Sequence, residues 1–554
     1  MQTSPASAGR SSPDGVRRLW NRQLDRYPET GARFSYLAIT VLVTISLYYE
    51  LYVNASVAPR QLPALHMSFA FLVNLLAVAN LVGAFGSLFA GLTDRIGRCN
   101  LVVGGLLVTG LLVALVIPHL TTKWPFAIAT AAVGLVEGIC LVATPALIRD
   151  FSPQVGRATA MGFWTMGPVL GSLVVAVVAS NTLHTSTTWG HEYVIAGVAG
   201  LVVFGVALVG LRELSPALRD QLMVSLRDRA LIEARAKGLD IEASLRNPFG
   251  QLLRLDVLAS ATGVGLLLLI YYVAVGFGQT YLATVFGFSL RDANGLGNWN
   301  WAVNAVMVIV AGVASDRLRV RKPFMIVGGV GTAAMIVVYL EQAGHHPSYY
   351  TLAAIISLLS AFLAVAYCPW MASFTETVEG HNPALTATGL AIWGWIIRVI
   401  VFVAYLILPH IVTTVNPLVD YGGQVQAYAA QYPGFQVPAS ALAALQKNPT
   451  DAAALAQARS VLGANYLKDL IALEKAPADV KTYMAAHGPA VLQAQAESPG
   501  QWRDYYWICF GGAVVFLPAV LLMKGRWSPR RAKQDEEAHE ELVAAELARL
   551  GGRA

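Results

Sequence analysis

Runs of roughly twenty apolar residues recur along this chain and constrain it more than any other feature. They fall near 35–57, 67–90, 101–120, 126–148, 159–180 and 193–211, then near 258–281, 298–315, 324–341, 350–373, 386–412 and 505–523. Most reach the length, about 18 residues, that marks a membrane span. In lipid the backbone must satisfy its own hydrogen bonds, so each run is read as a helix. The alternating segments of about ten residues that build a membrane barrel are absent from the pattern. Charged residues make up 13% of the 554-residue chain, against about a quarter in soluble domains.

Basic residues orient the bundle. One side collects the six Arg of the N-terminal tail, Arg95, Arg98, Arg149, Arg157, eight basic residues between Arg212 and Arg254, and Arg317 to Lys322. The short loops of the other side hold Arg60, Lys123 and Arg291. The first set is expected to be cytoplasmic, with both termini inside and the protein multi-pass in a cell (plasma or inner) membrane. The net charge of +6 is this asymmetry summed, and with the basic residues scattered over loops no nucleic-acid partner is implied. Cys99, Cys140, Cys368 and Cys509 show no metal-ligand spacing, and neither a metal site nor a cofactor is expected.

The chain also repeats itself. AGLTDRIGRCN at 90–100 and GVASDRLRVRK at 312–322 each place Asp-Arg between two apolar runs, with Asp94 and Asp316 separated by 222 positions. TPALIRDFSPQVGRATAMGFW (144–164) and CPWMASFTETVEGHNPALTATGLAIW (368–393) form a second, looser pair at offsets up to 227. A carboxylate at a helix end can accept from the amide groups opening a neighbouring helix and pair with Arg. Such a contact can latch two helices and break when they part; plain topology-setting by the Arg residues is the blander reading.

These residues resemble the major facilitator superfamily, whose signature loop between spans two and three reads G-x-L-a-D-r-x-G-r-k. Asp94, Arg95, Gly97 and Arg98 match it, with Ala90 and Cys99 as departures; Asp316 and Arg317 match in the second copy, where Arg319 stands in place of Gly. Gly167, Pro168 and Gly171 match the G-P-x-x-G core of a span-five motif that the superfamily associates with antiporters. The Arg of the superfamily's span-four motif is missing, since position 134 is Gly134. The resemblance implies an all-α polytopic protein with 12 transmembrane helices in two pseudo-symmetric six-helix bundles. It implies a secondary active transporter working by rocker-switch alternating access, and not an enzyme. No GxxxxGK[ST], HExxH or GxSxG occurs in the sequence.

The expected division is a cytoplasmic tail at 1–34, a six-helix bundle at 35–212, a cytoplasmic loop at 213–257, helices 7–11 at 258–412, an extracytoplasmic helical insertion at 413–503, helix 12 at 504–524 and a cytoplasmic tail at 525–554. SALAALQKN, DAAALAQARSVLGANYLKDLIALEK and PADVKTYMAAHG read as short amphipathic helices of the insertion. The insertion is either a packed ornament or a lid or docking module for an envelope partner.

Three ionisable residues lie deep in spans: Glu50, Glu137 and Arg398. Each is costly there and is a functional candidate by default. Ser46, Glu50 and Asn54 share a helix face, as do Trp395, Arg398 and Tyr405, and Tyr272 and Gln279. The expectation is one polar midplane cavity with Glu50 and Glu137 as proton-coupling groups. Arg398, Asn54, Tyr272, Gln279, Asn304 and Trp395 are the substrate-binding candidates. A buried Glu–Arg pair locking two helices is the structural alternative. The expected partners are a small-molecule substrate, protons or another coupling ion, and the bilayer. The deep Arg favours a small organic anion or metabolite; the Gly-Pro motif favours proton-antiport efflux of drugs or metabolites. A membrane receptor or scaffold using 413–503 is a third class.

Overall fold

A computed structural model describes residues 22–88, 97–151, 166–184, 187–215, 218, 248–381, 386–523, 527–531 and, beyond them, 533, 534, 538 and 541. The expected Asp94–Arg95 pair, most of the central loop and most of both tails lie outside these residues. Among the described residues eleven helices are long and apolar enough to cross a membrane, and a shorter apolar helix, Gly167–Thr182, stands where the fifth span is expected.

The first lobe comprises α1 (Thr30–Ala64), α2 (Phe69–Leu88), α3 (Arg98–Leu111, continued by a π turn at Leu112–Val116), α4 (Lys123–Phe151), α5 (Gly167–Thr182) and α6 (Gly190–Gly210). The second comprises one span broken at Leu268 into α7 (Leu255–Leu267) and α8 (Leu269–Phe286), then α9 (Leu290–Leu318), α10 (Lys322–Glu341), α11 (Tyr349–His381) and α12 (Thr386–Ile411). Five short helices follow: α13 (Val415–Asp420), α14 (Gly422–Gln431), α15 (Ala439–Lys447), α16 (Ala452–Leu462) and α17 (Tyr466–Glu474). The last helix, α18 (Ala478–Leu522), completes the second lobe.

Small residues set the helix spacing. Gly138 of α4 lies against the backbone of Gly83 in α2, Gly197 of α6 against Ala114, and Gly328 of α10 against Ala366 of α11. Without a solvent-driven force between helices in lipid, such close backbone approach is what holds spans together.

The internal repeat is visible in these contacts. Gly105 of α3 faces Cys140 of α4, as Gly328 of α10 faces Ala366 of α11. One turn on, the Thr109 hydroxyl donates to Gly105 O at 3.0 Å, and the Thr332 hydroxyl donates to Gly328 O at 2.7 Å. The two lobes meet where α1 packs on α8, α5 on α9 and α2 on α12.

The insertion does not end where the sequence pattern suggests. The helix opening at Ala478 runs without a break through the last span, 45 residues in all, and carries Pro489, Pro499 and Pro518 within it. At 1.5 Å per residue it is about 68 Å long, more than twice the hydrocarbon thickness. Its first half projects beyond the span and gives the short helices a surface. Val425 of α14 packs there with Val480, Met484 and Val491, and a second small core gathers Val437, Ala441, Ala454 and Ala458. The long DAAALAQARSVLGANYLKDLIALEK segment is divided by Gly463, at φ +72°, into α16 and α17.

Candidate functional site

At its start α3 carries a tight, buried clamp. Gly97 has φ +97°, a conformation that favours glycine, and its Cα lies against the Glu213 carboxylate. Glu213 accepts from the Arg98 amide at 2.8 Å, satisfying an N-terminal donor of α3. The Arg98 guanidinium donates to both Asp150 oxygens, at 2.9 and 2.8 Å, tying α3 to the end of α4. Glu213 also belongs to a two-stranded parallel pair, β1 (Gln23–Leu24) with β2 (Glu213–Leu214), that straps the incoming tail to the end of α6. Buried Arg22 donates to Ala207 O at 3.1 Å and so caps α6, although burial pulls its guanidinium below the ordinary arginine range.

The second copy repeats the clamp more openly. Arg321, just before α10, pairs with Glu376 near the end of α11 at 3.3 Å, with Asp316 at 2.6 Å, and with the Ser315 hydroxyl. Arg98 and Arg321 are 223 positions apart and Asp150 and Glu376 226, matching the repeat. Arg319 adopts φ +55°, so it takes the left-handed conformation at the place where the superfamily loop has Gly. Arg317 closes the last turn of α9.

Gly167, Pro168 and Gly171 act through packing. Pro168 sits in the first turn of α5, where its missing N–H is not needed. Gly167 lies against Thr44 of α1 and Gly171 against Tyr48 and the Ile45 carbonyl, pressing α5 onto α1.

The deep polar residues divide among three places instead of lining one cavity. In the interior of the first lobe, Glu50 of α1 and Glu137 of α4 are buried and neither makes an ion pair among the described residues. Glu50 lies against Gly200 of α6, and its charge and that of Glu137 oppose one another. Asn54, one turn above Glu50, accepts from the Tyr193 hydroxyl of α6 at 3.0 Å, and that hydroxyl accepts from Gln61 at 3.1 Å. Asn54 therefore turns into its own lobe because α6 supplies a hydroxyl partner there.

Between the lobes, Arg398 of α12 acts electrostatically on the hydroxyls of Tyr48 in α1 and Tyr272 in α8. Glu137 acts on Tyr48 as well. Tyr272 is held by its carbonyl, which accepts from Tyr405 of α12 at 3.0 Å, and its ring meets that of Tyr271 edge-on. Trp395, one turn before Arg398, lies edge-on to Phe85 of α2 across the interface.

In the second lobe, Gln279 and Asn304 line a separate cavity of about 60 Å3 beside Asn300, Trp301 and Ser360. Among the described residues no Arg pairs with Glu50 or Glu137.

The lobes are tied together at the end opposite the clamps. Asn294 donates to Ser56 O at 3.2 Å, Asn298 to the Ser180 hydroxyl at 3.0 Å, and Arg291 to Ser180 O at 3.1 Å. Asn416 of α13 accepts from the Phe69 amide at 2.6 Å, so the short helices after α12 also reach the first lobe.

Sequence reasoning misses Asp150, Glu213, Arg22 and Glu376. Asp150 and Glu376 carry a usable signal, an acidic residue at the repeat offset in both copies. Tyr48 reads from sequence as interfacial or core.

Two duplicated lobes of membrane-length helices, taken with the family match that follows, mark a membrane transporter and not an enzyme. The profile of the Major Facilitator Superfamily matches residues 34–422, and the chain belongs to that superfamily. Among solved structures it is similar to a bacterial homologue of the human lysosomal transporter Spinster, in an inward-facing and unoccupied conformation, with 16% identity and a TM-score of 0.58 over 91% of this chain and 100% of that one. It is also similar to the partially occluded inward-open xylose transporter XylE from E. coli, with 14% identity and a TM-score of 0.52 over 68% of this chain and 92% of that one. A curated relative, a probable chloroplastic anion transporter 3 of Oryza sativa subsp. japonica, is 25% identical over 201 residues. That match covers 35% of this chain and 38% of the relative.

Proposed function

We propose that the protein is a proton-coupled secondary transporter of a small organic anion, moving it by rocker-switch exchange of access between two sides of the membrane. The observation that carries the reading is Arg398, a fixed positive charge on α12 one turn after Trp395, whose ring meets Phe85 of the first lobe. A guanidinium there offers a carboxylate or phosphate forked donors in a site poor in competing water. The name of the rice relative, an anion transporter, supports the same substrate class.

The buried Glu50–Glu137 pair is the coupling element. An ionised carboxylate among apolar helices with no cation beside it is costly, and a proton removes the charge. Tyr48, which feels both Glu137 and Arg398, joins that pair to the anion site. Substrate charge on Arg398 and proton occupancy of the pair thereby act on the same side chain. Ties at the end opposite the clamps, from Asn294, Asn298 and Arg291, would open in the alternate state. The protein is placed in the cell membrane with both termini cytoplasmic, on the distribution of Arg and Lys.

The test is uptake of a labelled carboxylate library into proteoliposomes by wild type, Arg398→Ala and Arg398→Lys. Anion uptake lost in the Ala variant and partly kept in the Lys variant supports the assignment. Undiminished anion uptake by Arg398→Ala refutes it.

A further inference from the structure

The second-lobe cavity is bounded by α8, α9, α10, α11 and α18, and its polar wall carries no charge. Ser360 explains how that wall is set. Asn304 donates its amide to both Ser360 O, at 3.1 Å, and the Ser360 hydroxyl, at 3.0 Å. Because a backbone carbonyl accepts and never donates, the side-chain amide of Asn304 has one workable orientation, with its NH2 on Ser360. The Ser360 hydroxyl donates in turn to Asn300 O at 3.0 Å. On the facing helix Gln279 is 7% exposed, and its Oε1 has no donor. A buried acceptor left without a donor is expensive. The cavity therefore sets the acceptors of Gln279 and Asn304 beside the hydroxyls of Tyr271, Tyr339 and Tyr506, and suits a group that both donates and accepts, as a hydroxyl does.

Aromatic rings close the side nearest the other lobe. Tyr271 and Trp301 meet edge-on at 5.5 Å, and Tyr52 of α1 packs against the same cluster. Tyr271 is also the sequence neighbour and ring contact of Tyr272, which feels Arg398. The cavity thus lies one aromatic pair away from the anion site. Its volume of about 60 Å3 accommodates a few heavy atoms, not a whole solute.

We propose that this cavity binds the hydroxyl-bearing part of the transported anion, which makes the substrate a hydroxylated carboxylate and not a plain aliphatic acid. The inference rests on the anion reading above. Arg398 holds the charged end, while Gln279 Oε1 and the Asn304 carbonyl accept from hydroxyls, with Trp301 and Tyr271 against the carbon face.

Calorimetric titration of the purified full-length protein with gluconate, hexanoate and xylitol tests it. Wild type is expected to bind gluconate at least about tenfold tighter than hexanoate, a factor of the size a few hydrogen bonds supply. Gln279→Leu is expected to erase that preference by weakening gluconate about tenfold while leaving hexanoate as it was. Should Gln279→Leu fail to fold, Asn304→Leu, which removes the other acceptor of the wall, gives the same readout. Equal affinity of wild type for the two acids, equal weakening of both by the variants, or no heat from any of the three probes overturns the proposal. Xylitol binding that needs Gln279, with gluconate indifferent to Arg398→Ala, keeps the cavity as a hydroxyl site and removes the anion reading instead.

Discussion

The two lobes share a scaffold and differ in what they bury. Both open their third helix with an Arg paired to an acid near the end of the fourth, and both place a Gly and a Thr one turn apart against that fourth helix. The first lobe then hides two carboxylates without a cation, whereas the second hides an uncharged, hydrogen-bonded cavity. The clamps differ too: the Arg98 and Asp150 side chains are 8% and 3% exposed, while Glu376 is 50% exposed. Duplication fixed the framework, and the departures from the repeat mark where the halves took different work.

The sharpest way to break this comparison is the clamp. Arg98→Ala breaks a buried ion pair and should cost about 3–5 kcal/mol, seen as a large fall in thermal midpoint in detergent. Arg321→Ala, whose acidic partners face solvent, should cost about 0–1 kcal/mol. Equal losses would mean that the two clamps are equivalent after all.

Helix contact comes next. Gly328→Ala drives a methyl into the Ala366 backbone and should destabilise by about 1–3 kcal/mol. Gly105→Ala, the matching position, meets the Cys140 thiol, and its loss should fall substantially when combined with Cys140→Ala. A Gly105→Ala defect untouched by the second change would contradict the packing account.

The smallest effect concerns the surface beyond the spans. Partial desolvation at the exposed Asp420 pushes its carboxyl up, and His66 works in the opposite direction. A carboxyl raised in the folded chain holds its proton more tightly there than when unfolded. Its contribution to stability is present in acid and is lost as pH climbs through the raised value. Asp420→Asn should therefore raise the thermal midpoint by about 1 °C at pH 8 and leave it unchanged at pH 4. A gain confined to pH 4 would reverse the sign and the cause.

Much of this was legible beforehand. Apolar runs announce the spans, and the DRxGR and DRLRVRK loops announce the duplication. What escaped was partner choice. Asp150 is 52 residues from Arg98 and Glu213 is 115 away, and no local pattern joins them. Asn54 and Gln279 share their faces with Glu50 and Tyr272, yet periodicity gives a helix face and not the neighbour that captures a side chain. Pro489 reads as a break in the chain, but it lies inside α18, where the short helices pack against the same stretch.

Proton coupling seated inside the first lobe is the claim on which the mechanism turns. The direct measurement is substrate accumulation in proteoliposomes under an imposed pH gradient, set beside gradient-free counterflow, for wild type and the Glu50→Gln, Glu137→Gln double variant. The double variant is predicted to keep counterflow and to lose accumulation. Full gradient-driven accumulation without those two carboxyls would contradict the account.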